Sequence, residues 1–197
     1  MILEAGYYDV PPAKIATVVT HLEMLAPPLR VPDPPGSWTL RRVARPEPNW
    51  FRDLYRRVGA DWLWCVRLRM SDGELADIIR DERVEVHALA HEGSDEGLLE
   101  LDFRCDGECE IGFFGVTAPL IGTGAGRFLM NRALVLAWRD GIRRVWLHTC
   151  SLDSPRALTF YQRAGFRPFR TEVEVMDDPR LDGTLPREVA RHVPLIG

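Results

Sequence analysis

Three groups of residues in this chain have the types and spacing to do chemistry. The first is a glycine cluster, Gly122-Thr123-Gly124-Ala125-Gly126, set between an apolar run over 108–116 and a helical pattern that opens at Arg127. Glycines let successive backbone N–H groups converge on one anion, and the start of the following helix adds partial positive charge. A pyrophosphate is the natural guest, and a tight turn with close packing is the alternative. No Lys-Ser or Lys-Thr follows Gly126, so this is not a Walker A loop, and the Gly-x-Gly-x-x-Gly spacing of a dinucleotide fold is also absent. The second group is the stretch Ser154–Phe166. Ser154, Ala157, Leu158 and Tyr161 recur there at three- and four-residue steps and share one helix face. The third is Glu110, placed where its strand turns from polar to apolar on both faces (Ile111, Phe113, Phe114, Val116). Partial burial there raises a carboxylate toward neutrality and suits it to act as a base; Glu100, Asp102 and His148 are its rivals.

These groups need a frame. The β-branched run at 14–25 reads as a strand, followed by an extended connector, Ala26–Gly36, in which prolines 27, 28, 32, 34 and 35 exclude helix and central strand. A second strand is expected at Trp38–Ala44. Pro48–Gly59 reads as a helix closed by Gly59, and Asp72–Arg80 as another, opened by a capping box of Ser71 and Glu74. Strands at Val84–His91, Leu98–Phe103 and Glu108–Val116 follow, with turns at Glu92-Gly93, Asp95-Glu96-Gly97 and Asp106-Gly107 making an antiparallel meander. A helix over Arg127–Asp140, a strand over Arg144–Cys150, a helix over Pro155–Ala164 capped by Ser154, and a strand around Pro168–Val175 complete the order. The fold class is α/β, a mixed sheet with helices on both faces. One domain is expected over 1–197: an N-terminal strand and connector (1–37), a core (38–175), and an irregular tail (176–197) that packs on a partner subunit or on its own sheet.

Composition narrows the function. With 46% hydrophobic and 27% charged residues the chain is globular, and 197 residues bury enough surface to fold without disulfide or metal. A formal charge of −4 and the absence of a basic run argue against nucleic acid as a partner. No apolar stretch is long enough for a bilayer. The start, Met1-Ile2-Leu3-Glu4-Ala5-Gly6, has neither the basic nor the apolar region of a secretory leader, so a cytoplasmic setting is expected. The four cysteines, Cys65, Cys105, Cys109 and Cys150, include no Cys-x-x-Cys. Cys105 and Cys109 could face each other across a turn, but free thiols are the expectation. His21, His87, His91 and His192 show no metal spacing.

Taken together, the glycine loop and the Ser154–Phe166 stretch resemble the Gcn5-related N-acetyltransferase superfamily. That family carries Gln/Arg-x-x-Gly-x-Gly/Ala between its fourth strand and third helix, and Asn-x-x-Ala-x-x-Leu/Phe-Tyr-x-x-x-Gly-Phe in its fourth helix. Here they read Ile121-Gly122-Thr123-Gly124-Ala125-Gly126 and Ser154-Pro155-Arg156-Ala157-Leu158-Thr159-Phe160-Tyr161-Gln162-Arg163-Ala164-Gly165-Phe166. Ile121 stands where the family has Gln or Arg, costing a side-chain contact that Arg127 can replace. Ser154 stands for an Asn and reaches less far.

The resemblance implies a mostly antiparallel sheet whose fourth and fifth strands splay apart around acetyl-CoA. Its pantetheine amides would pair with the edge near Phe114, Gly115 and Val116. Its pyrophosphate would rest on the N–H groups of Ile121–Arg127, with Ser154, Ala157 and Tyr161 beside it, and no metal is implied. The implied reaction is direct transfer of acetyl to a primary amine, on a small molecule or a peptide. Tyr161 would be the acid for the leaving thiolate and Glu110 the base for the amine; the N–H of Phe114 or Val116 would hold the oxyanion. Trp50, Phe51, Tyr55, Trp62 and Trp64 read as core of the early helices, with some available to an acceptor wall. The acidic residues Asp95, Glu96, Glu100, Asp102, Asp106 and Glu108 read as a solvated hairpin surface that would also suit a cationic acceptor. A homodimer follows by analogy only. The departures at Ile121 and Ser154 leave open a protein that senses CoA without turnover. A nucleotide-binding module using the glycine loop is a third reading.

Overall fold

The computed structural model describes residues 3–197; Met1 and Ile2, part of the stretch read for a leader, lie outside the described residues. One seven-stranded sheet runs through it in the order β2-β3-β4-β5-β6-β1-β7. In chain order these elements are β1 (Lys14–Met24), β2 (Thr39–Arg42), α1 (Pro48–Gly59), α2 (Val66–Arg69), α3 (Asp72–Ile79), β3 (Val84–His91), β4 (Ser94–Asp102), β5 (Glu108–Val116), α4 (Ala125–Ala137), β6 (Arg144–Cys150), α5 (Ala157–Arg163) and β7 (Arg167–Asp177). Every pairing is antiparallel except β5 with β6. The mixed sheet with helices on both faces is as the sequence indicates.

Alternation along β3 and β4 divides the core into two layers. Val86, Ala88 and Leu98 point to one face and pack against Phe51, Leu54, Tyr55 and Val58 of α1 and Leu75 and Ile79 of α3. Leu89, Leu99 and Leu101 point to the other and meet Phe128, Leu129 and Ala133 of α4. Pro48 opens α1, and its buried residues recur at three- and four-residue steps. The Ser71–Glu74 capping box closes as expected: Ser71 N donates to Glu74 Oε2 at 2.8 Å and Glu74 N to Ser71 Oγ at 3.3 Å.

The structure departs from the sequence reading in three places. First, the turn expected at Asp95-Glu96-Gly97 is strand. Glu92 and Gly93, with φ of 49° and 84°, already reverse the chain, and a register shift between Leu89 and Ala90 absorbs Glu96. Second, α4 runs from Ala125 to Ala137 rather than 127–140, because Gly124, at φ 105°, turns the chain into the helix two residues early. Third, Ser154 does not cap α5. Asp153 fixes the preceding turn, accepting from Thr149 Oγ1 at 2.7 Å and Cys150 N at 3.0 Å, and α5 begins only at Ala157. The sequence reading assigned β1 no place in the sheet; it sits inside, between β6 and β7. The proline-rich connector carries the chain from there to β2 at the far edge, held along α4 by Asn131 Nδ2, 3.1 Å from Asp33 Oδ1.

All four cysteines are free, and Cys109 is buried while Cys105 is exposed. The tail packs on its own chain. Leu185, Ala190 and Val193 join Ile15, Leu63 and Leu152 in a small core. Arg180 organises it, donating to Asp178 Oδ2 at 2.7 Å and to the carbonyls of Ala190, Val193 and Pro194 at 3.2, 2.9 and 3.2 Å. Both members of this ion pair are only 3% exposed. Arg180→Met strands a buried carboxylate and three carbonyls. The variant should lose about 3–5 kcal/mol in urea unfolding and expose the tail to protease before the sheet.

Candidate active site

The site begins where two strands part. β5 and β6 pair in parallel only over Glu108–Glu110 with Arg144–Trp146. Beyond Glu110 the ladder stops, and β5 keeps only its β4 neighbour. Gly112 is skipped in that β4–β5 ladder, a bulge that bends β5 at the fork. The position takes no larger residue without a shift, since a Cβ there would lie 3.1 Å from Glu100 Oε1. The fork opens into a cavity of about 880 Å³ lined by residues from the glycine loop at one extreme and from β1 and β7 at another.

At one end of the cavity lie Ile121, Gly122, Gly124, Gly126 and Arg127, with Ser154, Ala157 and Tyr161 across from them. Gly122 and Gly124 hold φ of 87° and 105°, conformations that favour glycine. A Cβ built at Gly122 or Gly126 would touch nothing within 4 Å, so the loop leaves open space above the N-terminus of the thirteen-residue α4. Thr123 and Ala125 belong to the loop, but their side chains do not line the cavity. The Thr123 hydroxyl donates to Leu120 O at 2.8 Å, and Ala125 is fully buried. Phe114, Gly115 and Val116 lie on the unpaired flank of β5. Gly115 has a packing reason as well: a Cβ there would sit 2.5 Å from Val58 Cγ1 of α1. A CoA-type cosubstrate fits these residues, which offer free backbone along a strand and an open anion cradle beside a helix start.

Tyr161 projects from α5 with its ring edge-on to Phe114, centroids 6.0 Å apart. Burial, with Asp153 nearby, holds its phenol well above the usual tyrosine value, so it stays protonated. Glu110, at the fork, is pushed up to about 7, first by burial and then by the charges of Asp102 and Glu100, against the opposing pull of Arg67 and Arg104. The rival carboxylates are more firmly tied. Glu100 is 1% exposed and bonded to Arg67 at 2.5 Å, while Asp102 is gripped by Arg104 through both oxygens and held below its ordinary value despite partial burial. His148 Nδ1 lies 3.9 Å from Glu110 Oε1. Burial, and then His21, lower the His148 imidazole. Its ring centre is 5.7 Å from that of His21, whose Nε2 is 2.7 Å from Glu172 Oε2.

The early aromatics divide as expected. Phe51 and Tyr55 are core, and Trp64 and Tyr55 also face the cavity with Phe113, ring centres 4.9–5.3 Å from it. The sequence reading did not single out Arg67, Asp153 or Glu174, all of which line the cavity. Arg67 rides on a four-residue helix, too short to show a period, where it and Arg69 alternate with apolar residues and nothing marks one above the other. Among the described residues, no group of three His, Cys, Asp or Glu is gathered for a metal, and no helix is long and apolar enough to cross a membrane.

Comparison with known proteins agrees with this geometry. Residues 49–166 match the Acetyltransferase (GNAT) family. No curated protein matches the chain. Among solved structures, a GCN5-related N-acetyltransferase from Sphaerobacter thermophilus superposes with TM-score 0.60 at 19% identity, over 85% of this chain and 53% of that one. One from Kribbella flavida gives 0.57 at 17%, over 87% and 63%. An aminoglycoside acetyltransferase from an uncultured soil metagenomic sample, in complex with sisomicin, gives 0.54 at 16%, over 65% and 87%. The chain thus spans little more than half of the first of these and under two thirds of the second. At these identities the likeness is one of fold. The family match covers more than half of the chain, and it includes the fork, the glycine loop and α5: the chain belongs to the acetyltransferase (GNAT) family.

Proposed function

We propose that this protein transfers an acetyl group from acetyl-CoA to a primary amine by direct attack. The observation that carries the reading is the fork, with an anion cradle at one end and a near-neutral carboxylate at its root. In this reading, the N–H groups of Ile121–Arg127 bind pyrophosphate. The free flank of β5 at Phe114, Gly115 and Val116 pairs with the pantetheine arm, and the side chains of Ser154 and Ala157 border it.

The chemistry then divides among the chain's own groups. A lysine-like amine has pKa about 10.4, so at pH 7 only on the order of one in 10³ molecules is neutral, an obstacle of about 4–5 kcal/mol. Glu110 takes that proton, and a carboxylate near pH 7 both accepts and releases it readily. His148 stands between Glu110 and solvent and carries the proton outward. The N–H of Phe114 or Val116 holds the oxyanion. The protonated phenol of Tyr161 donates to the departing thiolate. The carboxylates on this side of the cavity, with Trp64 and Phe113, suit a cationic acceptor.

Free-thiol release from acetyl-CoA, followed over a panel of amines, tests the reaction. Amine-dependent release is expected; binding of CoA without release would instead make the protein a sensor. Tyr161→Phe should lower turnover by roughly 10²-fold or more with CoA affinity retained, and near-normal turnover would remove Tyr161 from the mechanism. For the native protein, kcat/KM should fall as pH drops below about 7, where Glu110 becomes protonated. Glu110→Gln should flatten that acidic limb. The same variant has an equilibrium signature. The folded-state value of Glu110 is raised from 4.5 to about 7, so its ionisation destabilises the fold increasingly over that window. Glu110→Gln should therefore be more stable than the native chain by about 1–3 kcal/mol above pH 7, and by much less at pH 4.

A further inference from the structure

The edge strand β7 has features that the acetyl-transfer reading does not use. It is eleven residues long, and ten of them are exposed. It is the last strand of the sheet, hydrogen-bonded on one side only, to β1. An open strand of this length is a template for pairing, and folds normally shorten, cover or break such edges. Here a register shift and Pro168 interrupt the first residues, and nothing interrupts the ladder from Arg170 to Asp177.

The direction of the free backbone groups follows from the ladder. Val18 gives its carbonyl to Ser151 N on the β6 side, and Ala13 gives its carbonyl to Asp178 N on the β7 side. Odd-numbered residues of β1 therefore bond toward β7, where Thr17, Val19 and His21 face Glu174, Glu172 and Arg170. Thr171, Val173 and Val175 consequently turn their own N–H and C=O groups outward, past the edge. Their side chains share a face with Val18. Val18, Val173 and Val175 are 50%, 51% and 52% exposed, a run of β-branched apolar residues that no part of the chain covers among the described residues.

The charges say what fits there. Read outward from Glu172, the strand is its own complement. Arg170 precedes Glu172 by two residues and Glu174 follows it by two; Thr171 and Val173 flank it directly; Phe169 and Val175 come next. Laid antiparallel on a copy of itself about a twofold axis at Glu172, Arg170 meets Glu174 twice, and the outward-facing Thr171 and Val173 form hydrogen-bonded pairs. Like charge meets like only on the axis, where each Glu172 is already bonded to His21 and Arg170 of its own chain. We infer that β7 is the dimerisation edge of this protein, pairing antiparallel with β7 of a second copy to make one continuous sheet across two chains. Glu174 and Met176 of β7 also line the cavity, so pairing would brace the wall of the site.

Sedimentation equilibrium of the full chain tests this. The expected result is a species of twice the 22.4 kDa chain mass at micromolar concentration. Arg170→Glu and Glu174→Arg should each weaken association by about 10²-fold or more, since like charges would then face each other, and the double reversal should restore it. Val173→Pro removes only an outward N–H and should also give monomer. Circular dichroism and the unfolding midpoint of every variant check that it remains folded. Should a variant misfold, hydrogen exchange on the native chain decides: the Thr171, Val173 and Val175 amides should be protected at high protein concentration and exposed on dilution. A native chain that sediments as a monomer would overturn the inference, as would a dimer indifferent to all three changes or amides that exchange freely at every concentration.

Discussion

Two parallel strands that stop pairing after three residues set the terms for the rest of this molecule. Backbone N–H and C=O groups that leave a ladder inside a protein need partners. β5 loses its β6 partner just past Glu110, in a fold that is otherwise well bonded, and its flank from Gly112 to Val116 faces an open cavity. Three features accompany the parting. Gly112 bulges out of register, the Glu100 carboxylate occupies the space beside it, and the rings of Phe114, Phe160 and Tyr161 form a cluster with centres 5.5–6.0 Å apart. Packed groups thus border the gap. On the function proposed, an extended ligand with its own amide groups would complete the ladder that the protein leaves unfinished.

The cavity is electrically divided. Arg127, Arg156 and Arg163 line it with the glycine loop and α5; Glu110, Asp153 and Glu174 line it elsewhere, and Glu100 and Asp102 are there in ion pairs. Arg67 and Arg104 are already spent on Glu100 and Asp102. A ligand with phosphates at one end and an ammonium approaching the other meets complementary charge along its length. The small net charge of −4 hides this, because it sums two opposed patches. The same acidic company, together with burial, lifts Glu110 to about 7. On the function proposed, attracting a cationic amine and tuning the base would rest on neighbouring carboxylates, and substitutions among them would alter both.

Much of this could be read from the sequence, and the parts that could not share a cause. The helix Pro48–Gly59 and the strands Val84–His91, Glu108–Val116 and Arg144–Cys150 have the expected bounds. Each carries its own signal in local periodicity and its own stop in a turn or a glycine. The glycine loop and Tyr161 were visible for the same reason, as short motifs whose spacing is local. What escaped is set at a distance. Insertion of β1 between β6 and β7 depends on pairing across more than a hundred residues. The Arg67–Glu100 pair joins a four-residue helix to a strand 33 positions away. The tail showed no period because Arg180 holds it by bonding to carbonyls, which any sequence supplies.

That distant insertion has a consequence for how the site is divided. The fork, the loop and α5 all fall within residues 49–166, the part that matches the family. Thr17, Val19, Glu174 and Met176 also line the cavity, and all four come from β1 and β7, outside that part. So do His21 and Glu172, which stand behind His148. The strands that complete the sheet beyond β6 therefore build the wall opposite the shared machinery. On the chemistry proposed, that wall is where the acceptor enters and where its proton leaves. In this chain β1 lies between β6 and β7, so it forms the inner side of that wall and β7 forms its edge.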